Sequence, residues 1–346
     1  MVSIRDHNAT FDDPGELPLL TESARVAEVA ALDEDRIDEV RRVTARLLRS
    51  VDRGDLVTDD DPPHVDWDGV DEVCETTDNR LLEKKLTHLA DRYQRPYPSL
   101  LSVRLHEERE AIDFVPGQYV TIRFHDTPRP YSVASSPNRS DLDFCIRRVP
   151  GGRLTTDLFE SLEPGDEVVV RGPNGDFVME DPSSRDVAFL ATGTGVAPLK
   201  SMIEYTFEEG QDVHEGEARD IWLFLGCSWQ DDLPYRERFA DLDASHDNFH
   251  FVPTLSRESY LTEWHGETSY VQQTFMKYLA DGVETDVDGD LADYLDESPE
   301  TDVEARLDPA NLEVYACGVS AMVHTLVDAA RSVGIPDQYI DAEGYG

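Results

Sequence analysis

The sequence predicts a multidomain α+β protein in three parts. A helical N-terminal extension runs over residues 1–95, an antiparallel six-stranded β-barrel over 96–183 and a doubly wound α/β domain over 184–346. Three observations carry this prediction. Apolar residues recur at helical spacing up to about residue 95, short alternating segments take over from about Leu100, and strand-like and helix-like segments alternate from about Asp186.

From Glu22 through Arg53, Val26, Val29, Ile37, Val40, Val43 and Leu47 fit one helical stripe, with Asp33 as a cap for its second half and Gly54 as its end. After the loop Asp59-Asp60-Asp61-Pro62-Pro63, Asp78 is placed to cap a second helix with Leu82, Leu86, Leu89 and Tyr93 on one face. Arg95-Pro96-Tyr97-Pro98 reads as a linker, because the residue before a proline avoids the helical region. No motif here carries chemistry, so the extension is expected to pack on the body, with its role open.

The barrel strands are Leu101 to Leu105, Gln118 to Phe124, Tyr131 to Ala134, Leu142 to Arg147 and Glu167 to Arg171, with one helix over Thr156 to Leu162. In the last part the strands are Val187 to Ala191, Ile221 to Leu225, Phe249 to Pro253 and Leu312 to Ala316. Helices are expected over Val196 to Phe207, Leu233 to Leu242 and Ser320 to Val333. Such alternation argues a parallel sheet covered on both faces, with ligands beyond the carboxyl ends of its strands and a cleft against the barrel.

Charge narrows the function. The chain has 73 Asp and Glu against 31 Lys and Arg, a formal net charge of −42 over 346 residues. That excludes nucleic acid and anionic membrane as default partners, since both are bound by excess Lys and Arg. With 39% hydrophobic and 9% aromatic residues the chain is still expected to be globular. Acid spread along the whole length fits a halophile surface, where screening over about 3 Å at 1 M salt tolerates self-repulsion. No apolar run approaches a membrane span or a secretory signal, so a cytoplasmic protein without membrane insertion is expected. Cys74, Cys145, Cys227 and Cys317 are too far apart for a zinc or iron-sulfur spacing, so no metal site is expected. An acidic run, Asp286-Val287-Asp288-Gly289-Asp290 with Glu297 in twelfth place, lacks the turn glycine of a calcium loop because Leu291 stands sixth. It is read as part of a surface insertion from about Asp281 to Pro309.

Anion-binding chemistry concentrates in a few segments. Thr192-Gly193-Thr194-Gly195-Val196-Ala197-Pro198 is a strand-to-helix turn whose glycines admit a pyrophosphate and whose Pro198 sits where a missing N–H costs little, although Pro198 replaces the third glycine of the dinucleotide fingerprint. Arg129-Pro130-Tyr131-Ser132 presents a cation, a ring and a hydroxyl along one strand. Arg147-Arg148 and Gly151-Gly152-Arg153-Leu154-Thr155 form a basic, glycine-rich turn that opens the barrel helix.

Together these segments resemble the ferredoxin-NADP reductases and their flavodoxin reductase relatives, over about residues 97 to 346. The resemblance implies FAD and NADP(H) as cofactors. It puts Arg129 on the FAD pyrophosphate, Tyr131 against the isoalloxazine and Ser132 near N5. Ile146, Arg147, Gly151, Gly152, Arg153, Leu154 and Thr155 complete the flavin contacts. Thr192, Gly193, Thr194, Gly195 and Pro198 would hold the nicotinamide-nucleotide pyrophosphate. The turns Leu162 to Asp166 and Gly172 to Phe177 match those that close the family's barrel.

For hydride transfer, Cys317-Gly318 resembles the family's thiol beside the nicotinamide. Glu343-Gly344-Tyr345 resembles its C-terminal acid and the movable ring over the flavin, here followed by Gly346. Ser132, Cys317, Glu343 and Tyr345 are therefore the expected catalytic set. Ser256 and Arg257 resemble the pair that reads the 2′-phosphate of NADP. Against that, Asp231-Asp232 could accept from the ribose 2′-OH of NAD, and Tyr235 is placed near the adenine.

The function implied is electron exchange between NADP(H) and a one-electron carrier, ferredoxin or flavodoxin, on a separate chain. Two alternatives are the reductase component of an oxygenase and a flavin-binding electron-transfer or regulatory subunit without NADP(H) turnover. Ser132, Cys317 and Glu343 argue against the second. The oligomeric state is open. If the carrier is as acidic as this chain, long-range attraction cannot guide docking. Affinity measured by titration from low to molar salt is then expected to hold or rise, and a steep loss would contradict docking through apolar and hydrogen-bonding contacts.

Overall fold

The computed structural model describes residues 5–6, 19–107, 112–179, 182–283, 287 and 289–345. Its first sheet is antiparallel and six-stranded, in the order Thr127–Ser132, Tyr119–Phe124, Glu167–Asn174, Leu20–Ala31, Leu100–Glu107, Asp141–Arg147. Inward residues Val103, Leu105, Ile122, Phe144 and Val170 fill its interior together with Leu154 and Leu158 of the helix Arg153–Ser161. The chain leaving Ser132 donates from Ala134 N–H to Asp143 O at 2.8 Å, so the two edge strands approach one another and the sheet curls into a barrel-like shell.

Leu20–Ala31 corrects the sequence reading. Residues 22–31, expected as the first half of a helix, are a central strand of the barrel, paired with both Leu100–Glu107 and Glu167–Asn174. The physical cause is a β-bulge between Val26 and Glu28. One extra residue on the strand turns a spacing of two into a spacing of three, so Val26 and Val29 face the same core and imitate a helical stripe. The barrel therefore takes a strand from well before residue 96. The helices of the supposed extension, Ile37–Ser50, Trp67–Thr76 and Arg80–Gln94, are an insertion between two neighbouring barrel strands.

Asp33 does not cap a helix. Its carboxylate accepts from Ser99 N at 2.8 Å, Ser99 Oγ at 2.7 Å and Leu100 N at 3.3 Å, closing the neck where the insertion leaves and rejoins the barrel. Asn79 rather than Asp78 caps the last helix, accepting from Leu81 N and Leu82 N. Leu48, Leu56, Val70, Val73, Leu82 and Leu86 form the insertion's own small core.

The second sheet is parallel, in the order Arg5–Asp6, Ile340–Tyr345, Leu312–Val319, Asp186–Thr192, Ile221–Cys227, Phe249–Leu255. Alternate residues of each strand enter opposite cores. Val187, Phe189 and Ala191 pack under the helices Val196–Glu208 and Arg236–Ser245, while Ala188 and Leu190 pack under Val271–Lys277 and Ser320–Ser332. That two-sided burial explains the unbroken apolar strand sequences. The chain steps outward from Asp186–Thr192 in both directions, so the strand order reverses beside that strand. Ligands bind at this place in doubly wound sheets.

Helix Val196–Glu208 joins the two bodies: Lys200 Nζ donates to Ala134 O at 3.0 Å and Ser201 Oγ to Ser135 O at 2.7 Å. Within 281–309, Leu291, Tyr294 and Val303 pack against the parallel-sheet core, and Lys277 bridges Glu267 and Glu297 at 3.3 and 2.9 Å. Asp286 and Asp288 of the acidic run lie outside the described residues.

Placing a carboxylate at a fully buried barrel position, Val26→Asp, is expected to cost more than about 3 kcal/mol in denaturant unfolding. A chain starting at residue 96 should fail to give a folded barrel by near-ultraviolet circular dichroism, whereas a dispensable N-terminal extension would leave it intact.

Candidate functional site

A cleft of about 1050 Å³ opens between the barrel and the carboxyl ends of the parallel strands, and helix Arg80–Gln94 walls one side. Four segments far apart in sequence meet in it. From the barrel edge come Arg129, Pro130, Tyr131 and Ser132. The turn opening the barrel helix adds Arg147, Arg148, Gly152, Arg153, Leu154 and Thr155. The parallel sheet contributes Thr192, Gly193 and Thr194, and the loop after Phe249–Leu255 contributes Ser256 and Arg257.

Local chemistry makes each wall. Gly152 ends the turn in extended conformation, so the first N–H groups of Arg153–Ser161 lack intrahelical partners and point toward the cleft end of the helix. Gly193 has a φ of 54°, and a Cβ there would meet nothing within 4 Å, which leaves the backbone open to a ligand. Thr192 Oγ1 is buried without a protein hydrogen-bond partner. Burial pushes the Tyr131 phenol up to about 12, against the opposing effect of Arg129, so the ring stays neutral near pH 7.

Tyr345 lies across the glycine loop. Its phenol oxygen is 2.9 Å from Thr194 Oγ1 and 3.4 Å from Thr192 O. Cys317 and Glu343 are neighbours across the strand pair, 0% and 2% exposed, in the layer beneath the cleft lining. Both belong to the expected catalytic set, yet with Tyr345 in this position neither reaches the cleft surface.

Three further expected contacts lie elsewhere. Ile146 is in the barrel core, and Pro198 is buried in the first turn of Val196–Glu208. Gly195 faces the sheet, where a Cβ would come within 2.3 Å of Cys317 O, so its smallness serves strand packing rather than phosphate approach. Gly151 sits at the exposed tip of its turn with φ 72°, beside the cleft but not among its lining.

Tyr235 and the acid pair also differ from expectation. Tyr235 packs with Leu100, Ala134, Cys145 and Ala197 at the domain junction, under Lys200 Nζ at 4.9 Å. Tyr270, 56% exposed, and Trp229 are among the aromatics that line the cleft together with Arg257. Asp231 and Asp232 are buried among arginines. Asp231 meets Arg92 at 2.7 Å, Arg95 at 2.8 Å and Arg36 at 3.4 Å, while Asp232 meets Arg95 and, at 3.1 Å, Arg147.

Sequence reasoning missed Asp91, Arg92, Arg95, Trp229, Val319 and Met322 of the lining. Three of these sit in or just past the inserted helix, whose proximity to the cleft no local motif records. Arg92 lies in the last turn of that helix and Arg95 just past its end, and this pair of arginines was the available signal.

Barrel fold, doubly wound parallel sheet and cationic cleft define a flavin- and nicotinamide-nucleotide-binding class of oxidoreductase, and comparison with known proteins agrees. Residues 98–179 match the model of the oxidoreductase FAD-binding domain and 189–328 that of the oxidoreductase NAD-binding domain. Ferredoxin-NADP reductase B of Sorangium cellulosum is 30% identical over 242 residues, covering 68% of this chain and 87% of that protein. The phenol hydroxylase P5 protein of Acinetobacter pittii is 31% identical over 204 residues, covering 56% of each. The chain spans 47% to 63% of the length of several of the curated relatives it matches. Among solved structures, the Amycolatopsis cytochrome P450 reductase GcoB shares the fold with a TM-score of 0.62 at 21% identity, over 95% of this chain and 71% of that one. The chain belongs to the ferredoxin-NADP reductase-like family of flavoenzyme oxidoreductases, with FAD-binding and NAD(P)-binding domains. Among the described residues no helix is long and apolar enough to cross a membrane.

Burial pushes the Cys145 thiol up to about 12 and also raises Cys227 and Cys317. At pH 8 the buried thiols of Cys145 and Cys317 are expected to react with an aromatic disulfide reagent at least about a hundredfold more slowly than free cysteine, because the thiolate is the nucleophile. A fast native-state burst from either of them would contradict the burial.

Proposed function

We propose that the protein is an FAD-dependent reductase that exchanges electrons between NADP(H) and a one-electron carrier of the ferredoxin or flavodoxin kind. The observation that carries this reading is the convergence on one cleft of Arg129 to Ser132, Gly152 to Thr155, Thr192 to Thr194 and Ser256-Arg257, with Tyr345 laid over the glycine loop.

The residues fit the cofactor. A cationic wall and the N-terminus of Arg153–Ser161 suit a diphosphate, Tyr131 offers a neutral ring for a flat heterocycle, and Thr192 Oγ1 needs a hydrogen-bond partner. When bound, FAD supplies the conversion between hydride transfer at N5 and single-electron transfer. Arg129, Arg147, Arg153 and the backbone at Gly152 to Thr155 would hold its phosphates, with Tyr131 against its ring and Ser132 as a hydrogen-bond donor to it. Thr192, Gly193 and Thr194 would receive the nicotinamide-nucleotide pyrophosphate. Tyr345 would have to give up its contact with Thr194 to admit a nicotinamide, and its departure would uncover the layer containing Cys317 and Glu343.

Ser256 and Arg257 read the 2′-phosphate, and Tyr270 takes the adenine-stacking role first given to Tyr235. Asp232 lines the cleft but is paired with Arg95 and Arg147, and Asp231 with Arg36, Arg92 and Arg95, so both carboxylates already serve cations, which supports NADP over NAD. The phenol hydroxylase relative favours a second reading, in which the electrons go to an oxygenase partner rather than to a general carrier. The acid excess is suited to molar salt in either case, and a protein in the cytoplasm is the reading retained.

Arg257→Ala is expected to raise KM for NADPH at least about tenfold more than KM for NADH. Equal changes would reject the 2′-phosphate assignment. Tyr345→Ser should tighten NADP+ and NAD+ alike, by about tenfold in fluorescence titration, since neither nucleotide then has to displace a ring. Unchanged affinity for both would sink the displacement. NADPH-driven dye reduction by purified protein tests the whole reading, and a yellow protein without turnover would overturn it.

A further inference from the structure

The inserted helices rest on two loops of the nucleotide domain, Trp229 to Asp232 and Arg257 to Leu261. Val40 and Leu89 of the insertion share a buried cluster with Trp229 and Leu261. His88 stacks on Tyr260 with ring centroids 5.9 Å apart. At the centre is Glu258, 0% exposed and next in sequence to Arg257. Arg36, the residue at which the insertion's first helix begins, donates Nη2 to Glu258 Oε1 at 2.9 Å and Nη1 to Oε2 at 3.0 Å. The same carboxylate accepts from Gln230 N at 2.7 Å and Thr262 Oγ1 at 2.9 Å, so it ties both loops together. Backbone contacts complete the turn: Arg257 N donates to Ser228 O at 3.0 Å, and Tyr260 N donates to Arg257 O at 2.9 Å.

We infer that the insertion braces the dinucleotide specificity loop, with Arg36 as a positioning residue that sets Arg257 through Glu258. The inference rests on the reading of Arg257 as the 2′-phosphate contact and adds where its geometry comes from. A planar guanidinium gripping both oxygens of a buried carboxylate fixes that carboxylate in distance and orientation, which a single point charge does not. Arg257 immediately precedes that fixed point in the chain. Arg36 itself is buried, is not among the residues lining the cleft, and touches neither Ser256 nor Arg257 in any hydrogen bond of the described residues. Its effect must therefore pass through the loop.

The test compares adenosine 2′,5′-bisphosphate with AMP by calorimetry, and KM with kcat for NADPH and NADH. It uses the full-length flavin-loaded protein as wild type, Arg36→Met, Arg36→Lys, Arg257→Ala and the Arg36→Met/Arg257→Ala double variant. Arg36→Met is expected to weaken the bisphosphate at least about tenfold more than AMP and to act on KM for NADPH rather than on kcat. In the Arg257→Ala background it should add little, because both changes remove one interaction. Arg36→Lys, which keeps the charge but not the two-point grip, should give a smaller loss of the same kind.

Equal weakening of both ligands, or effects that multiply in the double variant, would overturn the brace. Should Arg36→Met not fold, Arg36→Lys decides, and unchanged discrimination in it counts against the inference. If Arg257→Ala discriminates between the ligands and the Arg36 variants do not, only the brace fails. If Arg257→Ala itself does not discriminate, the 2′-phosphate reading fails and the brace with it.

Discussion

Three buried carboxylates, Asp231, Asp232 and Glu258, hold the molecule's parts in register. They stand on two neighbouring loops of the parallel-sheet domain and receive Arg36, Arg92 and Arg95 from the insertion and Arg147 from the barrel. Burying such charges is costly, and removing one partner of a buried pair typically costs about 3 to 5 kcal/mol because the other is left uncompensated. Apolar residues of the same volume could stabilise as well. What the ion cluster adds is geometry: carboxylates with several partners in fixed directions admit only one arrangement of barrel, insertion and nucleotide domain.

The cleft inherits that arrangement. Arg147 lines it while bonded to Asp232, so the position of a barrel cation depends on a loop of the other domain. Lys200 and Ser201 strap helix Val196–Glu208 to the same barrel. The glycine loop and Tyr345 meet where the strand order of the parallel sheet reverses. A chain with 31 cationic side chains against 73 anionic ones thus spends several of its arginines on two tasks, neutralising buried acids and lining an anion-binding cleft.

Much of this was legible residue by residue. Strand and helix periods located most of the barrel and the parallel sheet, and turns rich in glycine or arginine marked the segments that form the cleft, because anion sites need local backbone N–H groups and cations. Contacts that depend on folding back were not legible. Tyr235 could not be separated from Tyr270 as the ring in the cleft, since both are aromatics in the same domain and only packing buries one of them. Gly195 read as a phosphate-approach glycine because the strand it actually clears, Leu312–Val319, is more than a hundred residues away.

By itself the sequence determined most strands and helices of the barrel and the parallel sheet and the motif segments, which rest on short-range patterns, and the resemblance those motifs carry implied the cofactor class. Only the tertiary structure decided that Leu20–Ala31 is a barrel strand, since a bulge gave it a spacing of three that matches a helix until its partners are seen. It likewise decided that residues 37–94 are an insertion pressed on the nucleotide loops, and that Asp231 and Asp232 are paired with arginines. The reason is the same in each case. Period and composition report which face of an element is apolar, whereas the partner of a buried charge or a central strand is set by long-range chain closure that no local pattern encodes.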